Sequence, residues 1–374
     1  MISNILPKHA VAGGGAVEGE IEGEVETLAR GPDVHTFDRG QALQEVMNSP
    51  LSIGVAGLRG KTCTGAMLAH ILSVLESAPS WILGADLVGY GLRSRVGQGA
   101  GGPLILEATS SVPAESVPDL CVFGGTDPGE VPAWIDQVAT VIAPHSEKSG
   151  LAKGAGLDNL VTYGPGPGAT WTVDSRWTGS GCRIVARGPN REVLWADVPV
   201  PAHADNAMAA LAAAMALGIA PMEAAGALES YQGVHRHLTI AGRTHSVTVI
   251  DSVARHHDSI SADLAAAREL TGGQGRVRVL AVADPALAHT ITVSARQAVE
   301  QVVTLEPPRP SHRIHRIAGA RRPDIGRAVK EITEQTRPGD VVVVLGTEPP
   351  AEHLAGEVLD GLGETGPRAY QTAS

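Results

Sequence analysis

Gly57, Gly60, Lys61 and Thr62 fall close together in the stretch Gly54-Val55-Ala56-Gly57-Leu58-Arg59-Gly60-Lys61-Thr62-Cys63-Thr64. Glycines let a backbone curl until successive N–H groups point inward at one anion, and a following helix adds the positive end of its dipole. A lysine at this spacing reaches the β- and γ-phosphates of a nucleotide, and the adjacent hydroxyl holds Mg²⁺. The order around the stretch fits that chemistry. The apolar run Leu51-Ser52-Ile53 precedes it, and a helix-like segment from Thr64 to Leu75 follows, giving strand, glycine turn and helix. Cys63 sits inside the same turn, either as a small residue packed in the first helical turn or as an oxidation-sensitive thiol.

Four further groups could complete a site. Glu107 closes the apolar run Pro103-Leu104-Ile105-Leu106, and a carboxylate at the C-terminal end of a neighbouring strand is where a Mg²⁺ ligand belongs. Position alone leaves a solvated strand-end glutamate equally open. His203-Ala204-Asp205-Asn206 precedes an alanine-rich run, with Asn206 as a helix cap or as a nucleotide contact. Arg236, in Gly233-Val234-His235-Arg236-His237, is a linker arginine or a guanidinium for the γ-phosphate. Asp251 follows the apolar run Val247-Thr248-Val249-Ile250, as a turn residue or a partner for ribose hydroxyls. His256-His257-Asp258 are adjacent and do not converge on one ion as residues four apart on a helix face do.

These residues need elements to hold them. Residues 1–50 read as a short leader, with an alternating strand at Gly19–Glu26 and a helix from Phe37 to Met47 that Asp38 would cap. Residues 51–232 alternate strands and helices. The strands are Leu51–Val55, Leu104–Leu106, Asp119–Phe123, Val138–Ile142 and Leu160–Tyr163, short apolar runs of the kind found in a parallel sheet covered on both faces. Thr170–Val200 alternates as a small antiparallel section. A helix over Asn206–Leu217 ends at Gly218, and another starts at Pro221. Residues 233–374 form a second αβ unit. Its expected strands are Val247–Ile250, Val277–Val282 and Val341–Leu345, and its helices Ser259–Leu270, Val293–Gln301 and Pro323–Thr336.

Composition narrows the class. At 374 residues with 43% hydrophobic content, the chain can build two or more cores. A net charge of −11 and 3% aromatic residues leave no basic stripe or stacking platform for nucleic acid. No run approaches the ~18 apolar residues of a membrane span, and the first residues show no basic segment followed by an apolar run of the signal-peptide kind. Cys63, Cys121 and Cys182 are widely spaced and odd in number, which fits a reducing cytoplasm.

In this order, the motifs resemble those of the Mur ligase family, which includes the muramyl-peptide ligases and folylpolyglutamate synthase. Gly57–Thr64 is similar to its phosphate loop G-T-x-G-K-T/S-x-T, and Leu106-Glu107-Ala108 to its metal-binding glutamate. Asn206 with Ala209-Ala210 and Leu217-Gly218-Ile219 resembles its N-x-x-A-A helix. Gly233-Val234-His235-Arg236 resembles its G-x-x-R hinge, and Asp251–His256 its ribose-contacting loop. Asp340–Gly346 resembles a late strand of the C-terminal domain. The resemblance spans roughly residues 51–350.

It implies an α/β fold, with a central phosphate-loop ATPase domain built on a parallel sheet and a Rossmann-like C-terminal αβ domain. It implies ATP and Mg²⁺. Gly57, Arg59, Gly60, Lys61, Thr62, Cys63, Asn206, Arg236 and Asp251 would hold the nucleotide, Thr62 and Glu107 the metal, and Lys61 and Arg236 would act in catalysis. The implied activity is an ADP-forming carbon–nitrogen ligase joining a small carboxylate to an amine, an amino acid's, through an acyl phosphate. The sequence leaves homo-oligomerisation open. Loss of a histidine and a lysine of the family motivates a second reading, a nucleotide-binding homologue that does not ligate and serves as a scaffold or regulatory partner, and the missing substrate domain with the altered metal segment implies a non-standard substrate for the ligase. The leader is shorter than the family's substrate domain. Gly124-Gly125-Thr126-Asp127-Pro128-Gly129 lacks the histidine of the family's T-N-x-x-x-D-H segment. Only His145 and Lys148 lie near the position of its carbamoylated lysine, Arg255 replaces a histidine, and the paired H-N is reduced to His203-Ala204. No guanine-reading N-K-x-D motif supports a GTPase.

Overall fold

The structure is a computed structural model. It describes residues 25–30, 33–38, 51–57, 59–95, 97, 102–107, 117–124, 134–145, 159–178, 181–295, 299–305, 325–347 and 351–363. The chain divides between His235 and Arg236 into two compact units.

In the first unit, β1 (Val25–Arg30) and β2 (Asp33–Asp38) form an antiparallel pair. Phe37 and Asp38 thus lie in a strand, and the rest of the helix expected there lies outside the described residues, as does Gly19–Glu24. The remaining strands are β3 (Ser52–Ala56), β4 (Ser80–Leu87), β5 (Leu92–Arg95), β6 (Leu104–Glu107), β7 (Leu120–Phe123), β8 (Thr140–Pro144), β9 (Leu160–Gly164), β10 (Trp171–Trp177), β11 (Cys182–Arg187) and β12 (Val193–Val198). Among the described residues they make one ten-stranded sheet in the order β12-β11-β10-β9-β8-β7-β3-β6-β4-β5. It is parallel from β10 to β4 and antiparallel at both ends. The section expected over 170–200 is antiparallel, and it extends the central sheet through the parallel β9–β10 pairing instead of standing apart.

Successive side chains of a strand point to opposite faces, and here both faces are covered. Leu120 and Val122 of β7 enter a core shared with α1 (Lys61–Val74) and α2 (Ala204–Ala216). Cys121 and Phe123 enter a second core with Trp134, Ile135 and Val138. Burial pushes the Cys121 thiol up to about 12, so it stays a thiol at neutral pH. The alanine run of α2 presents small buried residues, which lets two helices approach closely over the sheet. Gly218 ends α2 at φ +88, with Ile219 N–H donating to the Ala214 carbonyl and Gly218 N–H to Met215, a Schellman ending. The short α3 (Pro221–Ala227) starts at its proline.

The last residues of this unit are tied to β4. Leu87 forms an antiparallel bridge with Val234, Val88 N–H donates to the Gly233 carbonyl at 3.1 Å, and His235 N–H donates to that of Asp86 at 2.9 Å.

The second unit comprises β13 (Thr239–Thr244), β14 (Val247–Ser252), α4 (His257–Leu270), β15 (Val277–Val282), α5 (Pro285–Ala295), β16 (Gln301–Leu305), α6 (Ile325–Gln335), β17 (Val341–Leu345) and α7 (Ala351–Gly361). Its sheet order is β13-β14-β17-β15-β16, parallel except for β13. Leu280 and Val282 pack in the core with α6 and α7, and Val279 and Ala281 in the core with α4 and α5. The sheet is therefore doubly wound. The helix expected over Val293–Gln301 is displaced. The helix starts at Pro285, where Asp284 Oδ1 accepts the Leu287 N–H at 2.8 Å, and Gln301 opens a strand instead. Asp-Pro is a helix start, and Val302-Val303-Thr304 favours extended backbone.

Candidate functional site

Three neighbouring strands of the first unit deliver their C-terminal ends to one place, as open α/β sheets do at ligand sites. β3 delivers the glycine loop, with β7 on one side and β6 on the other. Gly57 has φ +118, and a Cβ there would stand 2.7 Å from the Gly124 carbonyl oxygen. Gly124 follows β7, donates its N–H to the Ala56 carbonyl at 2.9 Å, and would carry its own Cβ 2.8 Å from the Gly60 carbonyl carbon. The two turns pack backbone on backbone with no room for a side chain. Gly60, at φ +78, precedes α1, and no side chain caps that helix. Helix hydrogen bonding begins with Thr64 N–H donating to the Gly60 carbonyl at 2.9 Å, so the amides of Lys61 and Thr62 stand ahead of it and suit an anion. Lys61 Nζ donates to the Gly57 carbonyl at 3.0 Å, so the ammonium lies over its own loop.

Beside the loop, Thr62 Oγ1 donates to Glu107 Oε2 at 2.8 Å, and Gly84 N–H donates to the same oxygen at 2.6 Å. A hydroxyl and a carboxylate so close, next to uncapped amides, form a hard-oxygen donor set of the kind Mg²⁺ takes when it shares phosphate oxygens and keeps several waters. The residues present fit that ion. Among the described residues no group of three His, Cys, Asp or Glu side chains is poised around one cation position, so the protein's share here would be this pair.

Around the loop lie several residues that sequence reasoning passed over. Asp205, in the first turn of α2, is half-buried, and burial pushes its carboxyl up while the charges of Arg59 and His203 pull it back. Tyr163 is fully buried at the end of β9 and donates its hydroxyl to the Phe123 carbonyl. Burial raises its phenol well above the usual range, with Asp205 adding and Arg59 opposing. Arg59 thus shares its surroundings with both groups. α2 starts two residues earlier than expected, so His203 occupies the cap position and Asn206 is buried inside the first turn. Cys63 is half-buried.

In the second unit, Arg236 and Asp251 meet. Arg236 Nε donates to Asp251 Oδ2 at 3.0 Å, Nη2 donates to the Gly346 carbonyl at 2.8 Å, and both side chains are buried. Asp251 is the penultimate residue of β14, and Gly346 follows β17, the neighbouring strand. Ser252 Oγ donates to buried Asp263 Oδ2 at 2.5 Å and accepts the Ala254 N–H, fixing the turn after β14. His257 Nδ1 lies 2.8 Å from Ser294 Oγ. Thus Gly57, Gly60, Lys61, Thr62 and Glu107 are gathered in the first unit, and Arg236 with Asp251 in the second. Ala108, Gly125–Gly129 and Lys148 lie outside the described residues.

A phosphate-loop α/β unit with an acidic strand end, followed by a doubly wound αβ unit, defines a nucleotide-binding class. Comparison with known proteins narrows it. Residues 235–347 match the Mur ligase, glutamate ligase domain family. The chain is 28% identical over 375 residues to the UDP-N-acetylmuramate–L-alanine ligase of Renibacterium salmoninarum, covering 90% of this chain and 79% of that protein. It is 32% identical to that of Streptomyces avermitilis, over 72% of this chain and 63% of the relative. Among solved structures, the UDP-N-acetylmuramate–alanine ligase of Thermotoga maritima superposes with a TM-score of 0.64 at 19% identity, covering 86% of this chain and 76% of that one. The bifunctional folylpolyglutamate synthase/dihydrofolate synthase of Yersinia pestis, complexed with AMPPNP and Mn, gives 0.59 at 15%, covering 87% and 92%. The chain carries a Mur ligase C-terminal domain and has the Mur ligase fold. Among its described residues, no helix is long and apolar enough to cross a membrane.

Proposed function

We propose that this protein is an ATP-dependent, ADP-forming ligase that joins a carboxylic acid to an amino acid. The observation that carries this reading is the Thr62–Glu107 pair beside the uncapped start of α1, in a chain whose residues 235–347 are a Mur ligase domain. The substrate carboxylate oxygen attacks the γ-phosphorus and the bond to ADP breaks, giving an acyl phosphate. The amine nitrogen then attacks the acyl carbon, inorganic phosphate leaves with the C–O electron pair, and the amine gives up a proton.

Gly57, Arg59, Gly60 and Cys63 lend backbone amides to the phosphates, and Lys61 neutralises the charge that develops during transfer. Thr62 and Glu107 would hold Mg²⁺, which when bound would supply Lewis-acid stabilisation of the phosphoryl oxygens. Asn206 and Asp251 serve the nucleoside. Arg236, which donates Nε to Asp251 and Nη2 to the Gly346 carbonyl, serves the phosphates. The relatives' names give the first pair of substrates to try, UDP-N-acetylmuramate and L-alanine.

The test is calorimetric titration with ATP and Mg²⁺, followed by phosphate release with that acid across a panel of amino acids. Amine-dependent ADP formation with one acid–amine pair supports the ligase. ATP binding without amine-dependent turnover for any acceptor sinks it and returns the non-ligating reading.

A further inference from the structure

We infer that Gly84 is a positioning residue for the metal carboxylate, setting Glu107 through its backbone N–H and through the absence of a side chain. The inference rests on the ligase reading, because it concerns the cation held by Thr62 and Glu107.

The geometry starts in β4. Its parallel ladder to β6 pairs Ser80 with Leu104, Trp81 with Ile105 and Ile82 with Leu106. On the other side, its antiparallel pairing to β5 is irregular between Ile82 and Leu87. Gly84 lies in that irregular stretch and is exposed. Its N–H, instead of joining a strand ladder, donates to Glu107 Oε2 at 2.6 Å, where Thr62 Oγ1 also donates at 2.8 Å. Two donors on one oxygen fix the carboxylate plane and leave Oε1 as the oxygen without a hydrogen-bond donor among the described residues. Charge-assisted hydrogen bonds of this kind hold orientation as well as energy.

Space is the second constraint. A Cβ at position 84 would stand 2.8 Å from Glu107 Oε2, 3.2 Å from Oε1 and 3.0 Å from Thr62 Oγ1. The glycine has an ordinary φ, so conformational freedom is not what the site needs from it. It needs the volume. Any side chain there would push the carboxylate off the hydroxyl and so spread the two oxygen donors that a small cation must share. The chain spends an irregularity in β4 to bring this bare amide to the carboxylate, 23 residues before it in sequence.

The experiment measures the affinity of AMPPNP by calorimetry with excess Mn²⁺ and again with EDTA, in wild type and in Gly84→Ala. Wild type is expected to bind the nucleotide more tightly with Mn²⁺. Gly84→Ala is expected to lose about 10- to 100-fold of that metal-dependent gain, the usual effect of disturbing the groups that orient a metal ligand. Its affinity in EDTA should stay within about twofold of wild type, which a general folding defect would not spare. Retention of the full metal-dependent gain by Gly84→Ala overturns the inference. Absence of any such gain in wild type overturns the metal reading beneath it instead, so the two failures are distinguishable. If Gly84→Ala alone does not fold, it is placed in a Glu107→Ala background, where its Cβ has no carboxylate to displace. Recovery of wild-type thermal stability there supports the inference, and continued failure to fold overturns it.

Discussion

Arg236 and Asp251 form a buried ion pair, with Nε 3.0 Å from Oδ2 and side-chain exposures of 9% and 0%. The guanidinium is also fastened to the Gly346 carbonyl, 110 residues further along the chain. One arginine thus joins the first residue of the second unit to the ends of β14 and β17. It does so from φ +58, a left-handed backbone position that a non-glycine residue keeps only where its surroundings fix it.

Breaking this pair should be costly in a definite way. Asp251→Ala leaves a buried guanidinium without its counter-charge, a change that usually costs about 3–5 kcal/mol. Asp251→Asn keeps an oxygen acceptor and should cost less. Urea unfolding of the two variants, compared through their midpoints at constant slope, checks the order.

Lys61→Ala should remove the nucleotide's effect on stability while leaving the apo fold intact, because Lys61 is only half-buried and its ammonium donates to the nearby Gly57 carbonyl. With ATP about 100-fold above its Kd, wild type should gain about 2.7 kcal/mol, seen as a rise in Tm. The variant should gain almost none. A variant shifted by ATP as fully as wild type would show that the loop is not the phosphate site.

Gly57→Ala should destabilise the first unit by about 1–3 kcal/mol through backbone strain at φ +118, and further through the 2.7 Å approach to the Gly124 carbonyl. Because the same contact shapes the loop, ATP binding should weaken together with stability. Thermal unfolding with and without ATP measures both.

His70 should make the protein acid-sensitive. It is buried in α1, its Nε2 lies 3.1 Å from the Ala227 carbonyl and 3.0 Å from Ser230 Oγ, and Tyr90 and Tyr231 pack edge-on to its ring. Burial holds its pKa below the usual 6.5. The unfolded chain therefore takes up a proton first as pH falls, so the stability contributed by neutral His70 is complete above about 6.5 and is lost as pH drops through 6.5 toward the lowered folded value. His70→Gln should flatten the Tm-against-pH curve over that window. An unchanged slope would assign the acid sensitivity to other groups.

The loop could be read from sequence because its chemistry is local. Lys61 and Thr62 follow Gly60 directly, and strand, turn and helix lie within one continuous stretch. The pairing of Thr62 with Glu107 spans 45 residues, yet a strand-end carboxylate announces itself. Gly84 gave no such signal, since a glycine inside an apolar run carries no mark of the carboxylate it will meet. Asp205 was hidden in the same way: its raised carboxyl comes from partial burial opposed by Arg59, which only the packing of α2 reveals. Helix α5 was misplaced through a local signal that was available, the Asp284-Pro285 start, which competed with the apolar look of Val293–Gln301. β13 was also missed. Its residues Thr239–Thr244 contain Gly242, whose missing side chain admits Leu359 of α7, and that gap dilutes the strand pattern.

The end of β4 has a consequence for handling the protein. His235 N–H is held by Asp86, and the Arg236 carbonyl accepts the Val253 N–H within the second unit. The two units are thus separated by one peptide bond, with the backbone engaged on both sides of it. A protease needs several residues of free, extended chain to seat a substrate, and it finds them at loop tips. This junction offers none until Gly233–His235 peel from β4. Nicking at the junction would then report the open population of that short pairing, which makes gentle digestion a gauge of how firmly Asp86–Val88 hold the last residues of the first unit.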